Sequence, residues 1–287
     1  KKKKMLGLSS KRTLPQWKTK TFFNSAPVSA TREEVLAASR PVVLFVDTFN
    51  GYFESDNASS ALKVLQAAGY TVHIATKKIA DGKSLCCGRT FLASGMVDQA
   101  KAKAGELVAA LLPFAKKDIA IVGLEPSCLL TMRDEMLVMG LGEAAQTISG
   151  QALLLEEFLA REAAAGKLEM LKSKLKPTLQ PILLHGHCHQ KAFGAVSPIM
   201  DVLKLIPGSK PELIESSCCG MAGSFGYEAS HYAVSMQMAE LSLLPAVRQQ
   251  PNAIVVADGT SCRHQIRDGA QREAVHVAVL LAQQLQA

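Results

Sequence analysis

Cys218-Cys219-Gly220 and, 132 residues upstream, Cys86-Cys87-Gly88 are the stretches on which the reading of this chain turns. Vicinal cysteines followed by glycine are uncommon once, and a second copy makes accident a poor account. Neighbouring sulfurs splay apart. They suit a cluster in which each sulfur takes its own iron better than a single small ion. Glycine lacks Cβ, so the backbone behind the pair can turn and approach a bulky anionic ligand. That marks Gly220 and Gly88 as candidate cofactor-contacting positions. The competing reading is a pair of buried free thiols packing as small apolar residues, and the duplication weighs against it.

The segments around the two motifs alternate between strand-like and helix-like patterns. Val42-Val43-Leu44-Phe45-Val46 is a continuous apolar run, predicting a buried parallel strand, and it ends in Asp47-Thr48-Phe49-Asn50-Gly51, read as a loop. A helix capped near Ser55 or Asp56 follows, with Ala58, Ala61, Leu62 and Leu65 on one face and Gly69 in the C′ place. Tyr70 to Ala75 reads as a strand, with the first CCG in the loop beyond it. Then come a helix from about Phe91 to Leu112, a strand at Ile119 to Val122, and the turn Glu125-Pro126-Ser127-Cys128. Residues 143–171, rich in Ala, Leu and Glu, predict one long helix, and Lys174 to Pro181 is the expected domain boundary.

The rhythm then restarts. Ile182-Leu183-Leu184 is a strand leading into His185-Gly186-His187-Cys188-His189, and Ile199 to Leu205 lie on a helix. Leu213-Ile214-Glu215 is a short strand before the second CCG, and a helix from about Tyr227 to Leu244 follows. Ala253 to Ala257 is a strand ending in Asp258-Gly259-Thr260-Ser261-Cys262, and a last helix runs from about Arg272 to Leu285. Cys86, Cys87 and Cys128 thus answer to Cys218, Cys219 and Cys262 at offsets of 132, 132 and 134. The expected fold is α/β: two pseudo-repeated, Rossmann-like parallel-sheet units at 41–142 and 182–287. A helical connector at 143–181 joins them, and a basic linker at 1–40 precedes them.

Composition bounds the function. The 287 residues are 48% hydrophobic and 20% charged, enough for two folded domains. No apolar run approaches the ~18–20 residues needed to cross a bilayer. The net charge of +7 is concentrated in residues 1–20, which hold eight basic and no acidic residues, leaving about −1 for the rest. A nucleic-acid face is therefore unsupported, and one Trp and four Tyr offer few stacking platforms for bases. The start at Lys1-Lys2-Lys3-Lys4-Met5 suggests a piece of a longer polypeptide or an altered start. Seven cysteines without dense spacing fit reduced thiols of the cytoplasm rather than a secreted disulfide scaffold.

Each cysteine falls past the end of an expected strand, where loops gather in open α/β sheets. Cys188, Cys218, Cys219 and Cys262 make a four-thiolate set, the usual complement of an iron–sulfur cluster such as [4Fe-4S]. Zinc is the alternative, but its C-x₂₋₄-C knuckles are absent. The first half offers only Cys86, Cys87 and Cys128, with Asp47-Thr48-Phe49 where the second half has Cys188. His185, His187 and His189 are candidates for proton handling or metal ligation, with His187 the candidate catalytic residue. The bland reading has them satisfying backbone carbonyls. His264 is read as a surface residue or a donor to a cluster sulfur, Glu125 and Asp258 as turn caps, and Gly220 to Gly226 as close backbone packing.

Paired halves of this kind resemble the cysteine-rich (CCG) domain found in heterodisulfide reductase, in the iron–sulfur component of glycolate oxidase and in lactate-utilisation iron–sulfur proteins. More closely, Cys86-Cys87-Gly88-Arg89-Thr90-Phe91, Glu125-Pro126-Ser127-Cys128, His185-Gly186-His187-Cys188-His189-Gln190 and Asp258-Gly259-Thr260-Ser261-Cys262 resemble the C-terminal part of large bacterial fusions. In those, an FAD-linked oxidase domain and a ferredoxin-like domain come first, in enzymes of the D-lactate and D-2-hydroxyglutarate dehydrogenase type. The resemblance covers about residues 41–287. It implies an electron-transfer module taking electrons from FAD in an upstream domain of the same polypeptide to an unspecified acceptor. It also implies a cytoplasmic location, free or at the inner face of the membrane, and leaves monomer and homo-oligomer both open. The chain departs from the heterodisulfide reductase pattern, which completes each motif with C-x-x-C. Cys128 and Cys262 stand alone, and the first half lacks its leading cysteine. The expected carry-over is a single four-cysteine cluster in the second half. A zinc-stabilised docking module and thiol–disulfide chemistry at the vicinal pair are the rival readings.

Overall fold

The computed structural model describes residues 6–25, 27–76 and 84–286. The Lys1–Met5 run lies outside them. Two four-stranded, all-parallel sheets organise the chain. The first contains β1 (Pro41–Phe45), β2 (Thr71–Ala75), β3 (Ile121–Gly123) and β4 (Ala152–Leu154), in the order β2-β1-β3-β4. The second contains β5 (Ile182–Leu184), β6 (Pro211–Leu213), β7 (Ile254–Val256) and β8 (Ala274–Val275), in the matching order β6-β5-β7-β8.

The helices are α1 (Arg32–Ala37), α2 (Thr48–Tyr52), α3 (Ser55–Ala67), α4 (Arg89–Ala93), α5 (Val97–Ala115), α6 (Pro126–Thr131), α7 (Gly142–Gln151), α8 (Leu155–Ala164) and α9 (Glu169–Lys172). In the second half they are α10 (Cys188–Ala192), α11 (Ser197–Leu203), α12 (Tyr232–Glu240), α13 (Leu243–Gln249), α14 (Thr260–Ala270) and α15 (Val277–Gln284).

The apolar strands owe their unbroken pattern to burial on both faces. Val42, Leu44 and Val46 point into a core shared by both halves, whereas Val43 and Phe45 point into a separate core. Ile182 and Leu184 point into the shared core and Leu183 away from it. That shared core is built where α3 and α8 of the first half pack against α15 and α11 of the second. The two sheets are therefore pinned through one helical layer.

Several local expectations are corrected. The stretch 143–171 is broken by β4, which pairs with β3, and the expected last helix from Arg272 gives way at its start to β8, leaving only α15, while α14 fills 260–270 ahead of it. The loop after β1 is helix α2, because Asp47 caps it by accepting from the backbone N–H groups of Phe49 and Asn50. The helix expected at Tyr227 to Leu244 is two helices, α12 and α13, and β6 begins two residues early, at Pro211. Gly69 does close α3, at φ +83°.

Residues 6–40, expected to be an extended linker, are docked. Ser9 N donates to Tyr227 O and Thr13 N to Asp268 in the second half, while Phe22 N donates to Gly51 O and Ala30 N to Val72 O in the first. Arg12 is buried, its Nε donating to Gly226 O at 2.8 Å and its Nη2 to Ser235 Oγ at 2.7 Å.

Candidate metal centre

In each half the outer strands flank a pair, β1 with β3 and β5 with β7, where the direction of chain crossover reverses. Loops from that pair part and leave a crevice at the carboxyl ends of the strands. The strand-end cysteines enter there. Cys188 opens α10 directly after β5, and Cys262 is the third residue of α14 after β7. Cys128 holds the same third place in α6 after β3. Helix N-termini favour thiolates through their free N–H groups and positive dipole.

The CCG glycines are demanded by the backbone. Gly88 and Gly220 sit at φ +84° and +86°. A Cβ on Gly88 would lie 2.6 Å from the Ala100 carbonyl oxygen in α5, and one on Gly220 would collide with the Ser235 carbonyl in α12. With the helix so close, the glycine N–H turns back on the motif. Gly88 N donates to Cys86 Sγ at 3.4 Å and Gly220 N to Cys218 Sγ at 3.3 Å. The glycine N–H groups thus hold the sulfurs. The first CCG runs straight into α4, whereas the second is followed by a turn and a short 3₁₀ segment, Phe225–Tyr227.

The sulfurs form a chain in each half. In the second half, hydrogen bonding links Cys188 to Cys218, Cys218 to Cys219 and Cys219 to Cys262. Hydrogen bonds from Cys188 and Cys219 hold the Cys218 thiol down at about 2. The bond with Cys219, with help from His185 and His187, holds Cys262 well below the ordinary thiol value against the effect of burial. Cys188 and Cys219, their hydrogen-bonded neighbours, are pushed up. Cys218 and Cys262 are thus the two sulfurs of the set that most favour the thiolate form. Cys188 is exposed, Cys218 half-buried and Cys219 and Cys262 buried, so the set runs from the surface inward.

The first half repeats the chain with one substitution. Thr48 opens α2 as Cys188 opens α10, and its hydroxyl bonds Cys86 where Cys188 bonds Cys218. Cys86 bonds Cys87, and Cys87 bonds Cys128. All three thiols are pushed up: Cys86 and Cys87 strongly, by neighbouring thiols and burial. Cys128 rises to about 11, where burial and the Asp47 and Glu125 carboxylates outweigh its hydrogen bond with Cys87. The surroundings differ in sign as well. Lys191 lies among the four second-half sulfurs, its Nζ donating to the carbonyl oxygens of Ser216 and Ser217. Beside the first set lies Asp47, raised to about 6 by burial and by Glu125. An anionic cluster fits the second set in ligand count, charge and softness of donors, and the first set lacks the fourth sulfur.

The histidines divide their work. His187 caps α10, its Nδ1 accepting from His189 N at 3.2 Å and lying 3.9 Å from Cys188 Sγ, with its ring against Gly259. His189 stacks on His187 and its Nε2 meets Arg89 Nη2 at 3.1 Å, a direct link to the first CCG loop. Burial, His187 and Arg89 hold His189 down at about 4, so it is neutral and accepts that bond. His185 is buried, Nδ1 2.9 Å from Ser216 Oγ, and a ring nitrogen lies within 4.8 Å of the sulfurs of Cys219 and Cys262. His264 is neither on the surface nor bonded to sulfur: it is buried, with Nδ1 2.5 Å from Tyr227 Oη.

Neither acidic residue caps its own turn. Glu125 accepts from Thr260 N at 2.9 Å and so closes α14 of the other half. Asp258 accepts from Val277 N at the start of α15 and from Gln190 Nε2, which also donates to Glu156. Glu54 accepts from Thr260 Oγ1 and from Arg263. Sequence reasoning missed Glu54, Glu156, Gln190 and Arg263, which pair across the chain, Gln190 with Glu156 over 34 residues and Arg263 with Glu54 over 209. A cleft of about 820 Å³ lined by Trp17, Phe53, Arg263, His264 and Arg267 includes none of the cysteines.

A family model described as a cysteine-rich domain matches residues 49–133 and 184–267, one match per half. The C component of the anaerobic glycerol-3-phosphate dehydrogenase of Escherichia coli (strain K12) is 26% identical over 98% of this chain and 67% of its own length. D-2-hydroxyglutarate dehydrogenase of the same organism is 25% identical over 80% of this chain, and that of Pseudomonas putida 27% over 93%. The chain spans only 21% and 25% of those two proteins.

Proposed function

The chain belongs to the cysteine-rich domain family, and from that membership and the sulfur geometry we propose that it is the iron–sulfur electron-transfer module of a dehydrogenase. Cys188, Cys218, Cys219 and Cys262 hold one [4Fe-4S]-type cluster. When bound, the cluster supplies one-electron storage. The protein's part is to hold the sulfurs as thiolates, place Lys191 beside them and shield all but the Cys188 edge. That exposed edge is where electrons enter or leave. The observation that carries the reading is the graded chain of four hydrogen-bonded sulfurs at the crevice between β5 and β7.

The relatives sharpen what this segment contributes. Glycerol-3-phosphate and D-2-hydroxyglutarate appear in the names of proteins that share most of this chain, so the shared part serves dehydrogenases of different substrates. We place flavin and substrate in a separate domain or a separate polypeptide, with a D-2-hydroxy acid as the substrate class. We assign the first set, Cys86, Cys87, Cys128 and Thr48, no cluster of its own, and His187 the task of ordering the Cys188 turn.

The test is anaerobic purification with iron, sulfide and zinc measured per chain. About four iron and four sulfide are expected for the wild type, with loss of both in Cys219→Ser. Zinc without iron, or iron unchanged in Cys219→Ser, overturns the proposal.

A further inference from the structure

His185 stands out among the buried polar groups. It is 1% exposed, and its Nε2 meets no nitrogen or oxygen partner, only the sulfurs, with Cys262 the one it bonds. A buried ring nitrogen with so weak a partner is costly unless something else uses its lone pair. The neighbours identify that user. A ring nitrogen of His185 and the sulfurs of Cys219 and Cys262 all lie within 4.8 Å of one another, and all three residues are buried.

The protonation of the ring follows from its other side. Ser216 Oγ, 2.9 Å from His185 Nδ1, has a single proton, which it gives to the Ile214 carbonyl at 3.3 Å. Lys191 Nζ also donates to that hydroxyl, at 3.3 Å. Toward His185 the hydroxyl can therefore only accept, so Nδ1 carries the ring proton. Nε2 then offers its lone pair toward the sulfurs, with Cys262 its neighbour there, the place a metal held by those sulfurs would take. A histidine fixed through its second nitrogen by an oxygen acceptor is the arrangement that orients imidazole on a metal. His187 differs, because its Nδ1 lone pair is already occupied by His189 N.

We propose that His185 Nε2 is a metal ligand of the second-half centre, on the side of Cys219 and Cys262, with Ser216 as its positioning residue. This rests on the electron-transfer reading above and adds a nitrogen to its four sulfurs. A neutral nitrogen donor adds no negative charge, and histidine ligation raises a cluster's reduction potential relative to thiolate.

The experiment uses the full chain, loaded anaerobically with ferrous iron and sulfide, grown with ¹⁴N- or ¹⁵N-histidine, and read by pulsed EPR in its paramagnetic state. The wild type shows a strongly coupled histidine nitrogen. That coupling survives in His187→Ala and disappears in His185→Cys, which keeps wild-type iron content because a sulfur replaces the nitrogen, while the midpoint potential becomes more negative. His185→Ala is the second variant and loses iron. A loaded wild type without the coupling, or a coupling that persists in His185→Cys, overturns the assignment and leaves the electron-transfer reading standing. Uptake of zinc and no iron overturns the electron-transfer reading. The assignment is then upheld by zinc release in His185→Ala with retention in His185→Cys, and overturned by zinc retention in both.

Discussion

Replacing Glu54 by Gln keeps the shape of the side chain that joins the first half to α14 and removes its charge. Glu54 accepts from Arg263 Nε at 3.1 Å and Nη2 at 2.5 Å, and from Thr260 Oγ1 at 2.6 Å. Burial pushes its carboxyl up, but Arg263 and the Thr260 hydroxyl prevail and hold it at about 2 instead of 4.5. At about 1.4 kcal/mol per tenfold change in proton affinity, that difference is roughly 3 kcal/mol of stability at neutral pH. Breaking a buried ion pair costs about 3–5 kcal/mol. Glu54 is about one-fifth exposed, which favours the lower end, so the two routes agree. Since domains are stable by only about 5–15 kcal/mol, the loss is large. Urea unfolding followed by far-ultraviolet circular dichroism reads it as a midpoint lowered by roughly 1 M, for a slope of about 3 kcal/mol/M. The sign with pH is fixed. The contribution is complete above pH 4.5 and declines as pH falls toward 2, so wild type and Glu54→Gln converge in acid. A midpoint difference under about 0.3 M at pH 7, or a gap unchanged between pH 7 and pH 2.5, refutes the reasoning.

Gly220→Ala must relieve a left-handed backbone and a collision with the Ser235 carbonyl, so it destabilises by at least about 2 kcal/mol; calorimetry showing an unchanged unfolding temperature contradicts this. Asp47→Asn removes a carboxyl that burial and Glu125 raise to about 6. Wild type gains stability from that group as pH falls from 6 toward 3.8, so the variant is the more stable by about 1–2 kcal/mol at pH 8 and loses the advantage by pH 5, measured by urea titration at both. Thr48→Cys supplies the sulfur the first half lacks, and iron and sulfide per chain rise above wild type in anaerobic reconstitution; unchanged content shows that the missing ligand is not what empties that set.

How much of this was legible in the residues depended on how local the cause was. Cys218-Cys219-Gly220 and its copy announced the repeat, and the matching strand orders are its structural form. β1, β5 and β7 were legible because both faces are buried, which leaves an unbroken apolar run. Ala152-Leu153-Leu154 and Ala274-Val275 were not, because strands of three and two residues at a sheet edge carry no period of their own and merge with the helices beside them. Of the site, the four cysteines were readable from spacing. The pairing of Thr48 with Cys188 was only half visible, since aligning them needs the helix caps Asp47 and His187. The docking of residues 6–40 had no local signal. A buried Arg12 looks like any basic residue until Gly226 and Ser235, over 210 residues away, are brought to it.

The cross-half bond from Glu125 to Thr260 has a consequence for biosynthesis. α14, which carries Cys262, starts with no cap from its own half, and Glu125 closes it from the other. Translation makes that carboxylate 135 residues before the helix it closes. The carboxylate is thus already in the chain when the last sulfur emerges, and its contribution is to timing as much as to shape. The helix start that carries Cys262 is closed only once the two halves have docked, so a product truncated before it lacks both that closure and one of the four thiols.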